Sequence, residues 1–234
     1  VRKWHKSAAG RASVTAWNRR VNSRGNLSSA RRCIPIYNAL DPSTHHPVPA
    51  DERFKADLSF LGNRLPDREA RVEQFFLDPA ARLPNRSFLI GGNGWETKGM
   101  PSNVRHIGHV YTRDHNAFNT SPLAVLNIAR DSMASTGYSP ATRVFEAAGA
   151  GACLITDAWI GLELFLKEGE EVLVARDGKD VADHVEMLTP ERAKAIGDAA
   201  RRRIMAEHTY ARRGVEVDQI LREAASQKRE RSVA

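Results

Sequence analysis

From residue 34 onward the chain alternates short, continuously apolar runs with stretches whose apolar residues recur at helical spacing. Leu58–Gly62, Ser87–Gly91, Val104–Ile107, Leu123–Ala129, Ala152–Thr156 and Glu171–Ala175 each predict a strand, and all are apolar rather than alternating. Between them, helices are predicted over Asp67–Asp78, with Ala70, Val72, Phe75 and Phe76 as apolar positions, over Asp114–Asn119 and over Val181–Leu188, with a helical turn or two in Ile160–Leu166. Ser139-Pro140 reads as an N-cap followed by proline at the first helical position. It opens an Ala-rich helix that a Gly-Ala-Gly break ends before the strand leading to Asp157. Thr189-Pro190 repeats that signal for a helix with Ala193, Ile196, Ala200 and Ile204 on one face, and Thr209 restarts a last helix carrying Val215, Ile220 and Leu221. Six buried strands interleaved with helices predict an α/β fold, a doubly wound parallel sheet with C-terminal helices.

The net charge of +7 changes the picture only at the N-terminus. Nine of the 35 Lys and Arg lie in residues 1–33, which hold no Asp or Glu; residues 34–234 therefore carry 26 basic against 28 acidic groups, a net of −2. Three readings stand for 1–33: an arm that attracts nucleic-acid phosphates, an organellar transit peptide, or an unstructured leader or truncated remnant. The last is preferred, so nucleic acid is not expected as a partner. Residues 34–226 read as one domain and 227–234 as a charged tail. Nothing resembles a membrane span, and Cys33 and Cys153 form no redox or metal motif, so a reducing cytoplasm is the default compartment.

Most standard motifs fail on chemistry. Gly92-Asn-Gly94-Trp-Glu-Thr97 imitates a dinucleotide fingerprint but has Thr97 where the third glycine belongs. His45 and His46 sit in a proline-rich loop without partner ligands nearby and read as surface histidines, not a metal site. Gly137-Tyr-Ser139-Pro-Ala141 imitates a nucleophile elbow, yet the residue after the serine must offer a backbone N–H and Pro140 has none. Two features survive. At the helix start near Ser139, free N–H groups favour an anion and Arg143 adds a positive contact, with Glu146 at i+3. At the carboxyl end of the first strand, Gly62 permits close backbone approach and Arg64 supplies a forked donor beside Asn63.

The segment Arg143-Val-Phe-Glu146-Ala-Ala-Gly-Ala-Gly151 and the strand to Asp157 resemble the signature of the CgeB/YkvP-like (spore-maturation-type) glycosyltransferases, relatives of the group with a Glu-Ala-x-Ala-x-Gly helix. DLSFLGNR at 57–64, GGNGW at 91–95, NVRHIGHV at 103–110, LAVLNIAR at 123–130 and EHTYARR at 207–213 match in the same order, so the resemblance spans residues 34–222. It implies the Rossmann-like C-terminal half of a GT-B architecture that binds a nucleotide-diphosphate sugar and transfers its glycosyl group to an acceptor hydroxyl, without a cofactor or metal. By this resemblance Glu146 would accept from ribose hydroxyls and Arg64 and Arg143 would face the diphosphate. Backbone around Ile107 would meet the base, and the loop to Ser139 would lie against the phosphate and sugar. Tyr138 stands where the related retaining enzymes have a second glutamate, so no retaining mechanism is carried over. The acceptor domain of a GT-B enzyme does not fit in residues 1–33. The chain is then read as a fragment, as the partner of a separate N-terminal domain, or as a non-catalytic nucleotide-sugar-binding module.

Overall fold

The computed structural model describes residues 34–233, so the readings placed on residues 1–33 lie outside the described residues. Residues from Asn38 onward form one compact unit, whereas 34–37 belong to the N-terminal one and have no regular secondary structure. Six strands, β1 (Leu58–Leu61), β2 (Phe88–Gly91), β3 (Val104–His106), β4 (Ala124–Asn127), β5 (Leu154–Asp157) and β6 (Leu173–Ala175), form one parallel sheet in the order β3-β2-β1-β4-β5-β6. This is the predicted doubly wound sheet. Every residue of β2, β4 and β5 is buried, while the edge strands β3 and β6 are half-exposed. The continuous apolar runs thus mark the strands covered on both faces. Phe88 and Ile90 join Phe60, Phe76, Val185 and Ile196 on one side of the sheet, and Leu89 packs with Phe54, Val110 and Phe118 on the other.

After β1 the helix α1 (Glu69–Val72) passes through a wider π-helical stretch, Glu73–Leu77, into α2 (Asp78–Arg82). The sequence reading stops this helix at Asp78, before Pro79. Proline cannot donate to the preceding turn and crowds it. The π turn, in which the Asp78 N–H reaches back five residues to Glu73 O, takes up that misfit and the helix runs on. Next come α3 (His115–Thr120) and α4 (Asp131–Thr136), the latter not foreseen, then α5 (Thr142–Gly149). Helix α6 (Gly178–Met187) starts three residues before the predicted Val181, where Asp177 caps it by accepting from Asp180 N at 2.9 Å. Thr189 caps α7 (Pro190–Glu207) as read, accepting from Arg192 N at 3.2 Å. Helix α8 (Tyr210–Val233) includes 227–233, the predicted charged tail, and leaves Val215 and Leu221 exposed. Ile160–Leu166 holds a single 3-10 turn, Leu162–Leu164. No helix among the described residues is long and apolar enough to cross a membrane.

Two buried polar arrangements tie these layers. The Asp157 carboxylate, fully buried at the end of β5, accepts from Arg71 Nη2 at 2.5 Å, from Ala129 N at 3.0 Å and from Thr156 Oγ1 at 3.3 Å. Burial pushes its pKa up while the Ala129 N–H and the Arg71 charge pull it down. His208, between α7 and α8, lies against Phe145 and Phe165 and accepts from Arg213 Nη2 at its Nδ1, at 2.9 Å. Burial first, then the charges of Arg213 and Arg203, push its pKa down from 6.5 to about 4.

Asp157→Ala leaves a guanidinium and the Ala129 N–H without their acceptor and should cost about 3–5 kcal/mol in urea unfolding. Arg71→Met combined with Asp157→Leu should cost less than the sum of the single changes, yet keep about 1–3 kcal/mol of loss, because the Ala129 N–H stays unsatisfied. For His208 the folded pKa lies below the unfolded value. Its contribution is therefore complete above pH about 6.5 and is lost as pH falls towards about 4, by roughly 3 kcal/mol. Urea midpoints of wild type and His208→Phe measured across that window should converge by this amount, and parallel curves would exclude it.

Candidate functional site

In the order β3-β2-β1-β4-β5-β6 the chain winds outward in one direction from β1 and in the other from β4. The crevice outside the carboxyl ends of these two central strands is where open parallel sheets bind ligands. Residues 62–68 follow β1 there, and Ile128–Arg130, α4 and the loop into α5 follow β4.

The β1 and β2 ends are laced together. A Cβ on Gly92, whose φ is +124°, would lie 2.3 Å from Gly62 O, so only glycine fits. Trp95 is buried and its indole N–H donates to Gly62 O at 2.8 Å. Asn63 Oδ1 accepts from Asn93 N at 2.9 Å, and the Arg64 N–H donates to Asn93 O at 2.9 Å. The glycines that imitate a fingerprint therefore serve strand-end packing. Ile107 continues the lacing: its N–H donates to Ile90 O at 3.1 Å, and its side chain packs against the Phe54, Leu89, Val110 and Phe118 cluster. Arg64 is held by protein groups, donating to Glu69 Oε1 at 2.7 Å and to Thr97 Oγ1 at 3.3 Å.

Arg68, which sequence reasoning missed, has no such acceptor among the described residues. A Cβ on Gly62 would lie 2.5 Å from its Nη1, so the guanidinium lies directly on the β1 end, and its Nε is buried without a hydrogen bond. Burial and then the charge of Arg130 lower its pKa, opposed by Asp67 and Asp157. Burial likewise lowers the pKa of Arg143, which Glu146 opposes and Arg68 adds to. Three arginines thus meet at the crevice with too little negative charge, an arrangement that an anion would relieve. Arg68 follows Arg64 by four residues, and the Pro-Asp-Arg that precedes α1 was the available signal.

Helix α5 begins at Thr142, with Ala141 as its N-cap and no capping side chain. The expected Ser139 cap and first-turn Pro140 are therefore corrected: both precede the helix. The cause is tertiary. The Tyr138 N–H donates to Ile160 O at 2.6 Å, and Tyr138 takes φ +51°, so the chain swings past Ile160 and Gly161 before it can coil. Without a side-chain cap, the first N–H groups of α5 are left to solvent or ligand.

One turn on, the half-buried Glu146 carboxylate takes no protein hydrogen bond among the described residues; Arg143 Nη2 is 3.9 Å from Oε2 and His45 Nε2 is 4.0 Å from Oε1. Arg143 is steadied by Asn119 Oδ1, 3.2 Å from Nη1. His45 is thereby corrected from a surface histidine: its ring stacks on His115 at 6.4 Å, while His46 is exposed as read. Burial and the Arg143 charge lower the pKa of His115. The structure thus brings Arg143 and Glu146 together with His45, His115 and Asn119, and Gly62 with Arg68. Arg64, Asn63 and Ile107 are engaged in the lacing of the sheet end.

A family model described as glycosyl transferase-like matches residues 68–222. Among solved structures, the sucrose-phosphate synthase of Thermosynechococcus elongatus is 16% identical, with 92% of this chain and 57% of that one aligned at a TM-score of 0.68. HepE of Anabaena, solved with UDP-glucose, is 12% identical over 80% of this chain and 57% of its own, with a TM-score of 0.62. AviGT4, a glycosyltransferase of avilamycin A biosynthesis, is 22% identical over 86% and 61%, with a TM-score of 0.57. The chain covers about three fifths of the length of each. At these identities the likeness concerns the fold, that of a GT-B glycosyltransferase domain. No curated protein sequence matches the chain. With its family match covering more than half of its length, the chain belongs to the glycosyl transferase-like family.

Proposed function

We propose that this chain binds a nucleotide-diphosphate sugar in the β1–β4 crevice and serves transfer of the glycosyl group to an acceptor hydroxyl. The observation that carries the reading is the unbalanced positive charge of Arg68 and Arg143 beside a carboxylate, Glu146, whose oxygens no donor among the described residues occupies. Arginine suits the diphosphate, and the carboxylate suits the ribose hydroxyls. Arg68 takes the leading phosphate role because Glu69 already neutralises Arg64. In the transfer the acceptor oxygen bonds to the anomeric carbon, the bond to the diphosphate oxygen breaks, and the acceptor proton passes to a base. Positive charge set beforehand where the leaving diphosphate gathers negative charge lowers that barrier. Gly62, Asn63 and Ile107 act through backbone, and Ser139 lies on the loop that meets the sugar. The ordered matches from DLSFLGNR to EHTYARR support placement in the CgeB/YkvP-like group, working in the cytoplasm beside an N-terminal acceptor domain.

Calorimetric titration with UDP-, GDP- and ADP-glucose tests this reading; HepE solved with UDP-glucose makes the first the leading probe. Arg68→Ala and Glu146→Ala should each weaken donor binding about 10–100-fold, as expected when a hydrogen bond to a charged group is removed, and Arg64→Ala should weaken it less. A wild type that binds none, or variants that bind as the wild type does, would sink the assignment.

A further inference from the structure

We propose that His45 is a specificity-determining residue that contacts the ligand: its Nε2 and Glu146 Oε1 share one hydroxyl of a vicinal diol, while Arg143 and Glu146 Oε2 share the other. The proposal rests on the donor-binding reading above and assigns that site a recognition element outside the Glu146 helix.

Geometry carries it. His45 Nε2 to Glu146 Oε1 is 4.0 Å and Arg143 Nη2 to Glu146 Oε2 is 3.9 Å, both too long for direct hydrogen bonds. Two bonds of about 2.8 Å to a common oxygen span such a gap with an angle of roughly 90° at that oxygen. A hydroxyl is the group that can do this, since it donates to the carboxylate and accepts from the N–H on the other side. The two gaps use different oxygens of one carboxylate, so they present two donor–acceptor pairs side by side. A ribose 2′,3′-diol offers the complementary pair, and a deoxyribose offers half of it.

The position of His45 is built, not incidental. Asp41 closes the turn before it, accepting from Ser43 N at 2.9 Å and Ser43 Oγ at 2.6 Å, and its carbonyl accepts the His45 N–H at 3.0 Å. Asn116 grips the residues on both sides, donating to Thr44 O at 2.9 Å and accepting from His46 N at 3.3 Å. Leu40 packs against Gly149, where an added Cβ would lie 2.3 Å from Leu40 Cδ1 and 3.2 Å from His45 O. The His45 side chain is only 13% exposed, and its Nδ1 is buried without a partner among the described residues. The carboxylate facing Nε2 favours the proton on that nitrogen, which is the donor the diol requires.

The test is calorimetry of the full chain with UDP, GDP, ADP and CDP, then with the 2′-deoxy and 3′-deoxy forms of whichever binds most tightly. His45→Phe keeps the ring stacked on His115 and removes the N–H. It should weaken the ribonucleotide about tenfold while binding one of the two deoxy forms as the wild type does. His45→Asn, too short to reach, carries the same expectation should phenylalanine not be accommodated, and His45→Gln, with an amide N–H, should regain part of the affinity. Unchanged ribonucleotide binding in both removal variants, or equal losses for the ribo form and both deoxy forms, overturns the proposal. If Glu146→Gln abolishes the ribo preference in that case, only the His45 assignment falls. If Glu146→Gln is indifferent too, or the wild type binds none of the four, the donor-binding reading falls with it.

Discussion

The buried carboxylate of Asp157 is the constraint on which the crevice depends. Parallel strands that end at a switch point leave backbone N–H groups facing a cleft instead of a neighbouring strand, and such groups are costly when unsatisfied. Asp157 satisfies the one at Ala129 and so fixes the end of β4 against the end of β5. Its other oxygen draws Arg71, and with it the start of helix α1, onto the sheet. Arg68 is the N-cap residue of that helix, three residues before Arg71. Anchoring Arg71 therefore fixes the turn that carries Arg68, whose guanidinium comes to rest on Gly62. A pair that contributes little net stability after desolvation here serves geometry: it sets where an unneutralised cation stands.

The arginines of this protein thus divide by what neutralises them. Arg53, Arg64 and Arg86 meet carboxylates at 2.7–3.1 Å, on exposed or half-buried ground where such pairs are worth little and draw no ligand. Arg71 is matched by Asp157. Arg68 and Arg143, by contrast, are penalised by burial and penalised further by neighbouring cations. Placing like charges together without an anion is unfavourable in the free protein, and a fold carries that cost where binding returns it. Charge and desolvation therefore point to the same crevice as topology does.

How much of this was legible depended on how local each signal was. The central strands could be read because burial on both faces leaves continuous apolar text, whereas the half-exposed edge strands β3 and β6 carry a weaker form of that signal. Thr189-Pro190 was read correctly because its cap is satisfied within three residues. Ser139-Pro140 carries the same signal, a hydroxyl residue before proline, and fails, because the Tyr138–Ile160 hydrogen bond, made to a residue more than twenty positions away, diverts the chain before it coils. Pro79 misleads in the opposite sense, since a π turn absorbs what local rules call a stop. At the site, Arg143 and Glu146 were legible as one helix face. Arg64 and Arg68 look alike in text, and only Glu69 in space distinguishes the occupied one from the free one. His45 was invisible as a site residue, because its role comes from Asn116 and Glu146, 71 and 101 positions further along the chain.

Helix α5 explains why so small a set of polar side chains can be held to one geometry. Of its eight residues Val144, Phe145, Ala147, Ala148 and Gly149 are buried, and Phe145 closes against Phe165 and His208. Arg143 and Glu146 therefore stand on a helix gripped from below by the sheet and from the side by the α7–α8 junction. The strap that carries His45 is fixed to the same body at both ends. Leu40 exchanges backbone hydrogen bonds with His208 and Tyr210, and Asn116 holds the far end. Carboxylate, guanidinium and imidazole thus come from segments far apart in sequence that share one packed core. Each can keep a separation near 4 Å from its neighbour without collapsing into a direct ion pair. That separation suits a ligand hydroxyl, and it is the packing beneath the site that prevents the protein from filling it with its own contacts.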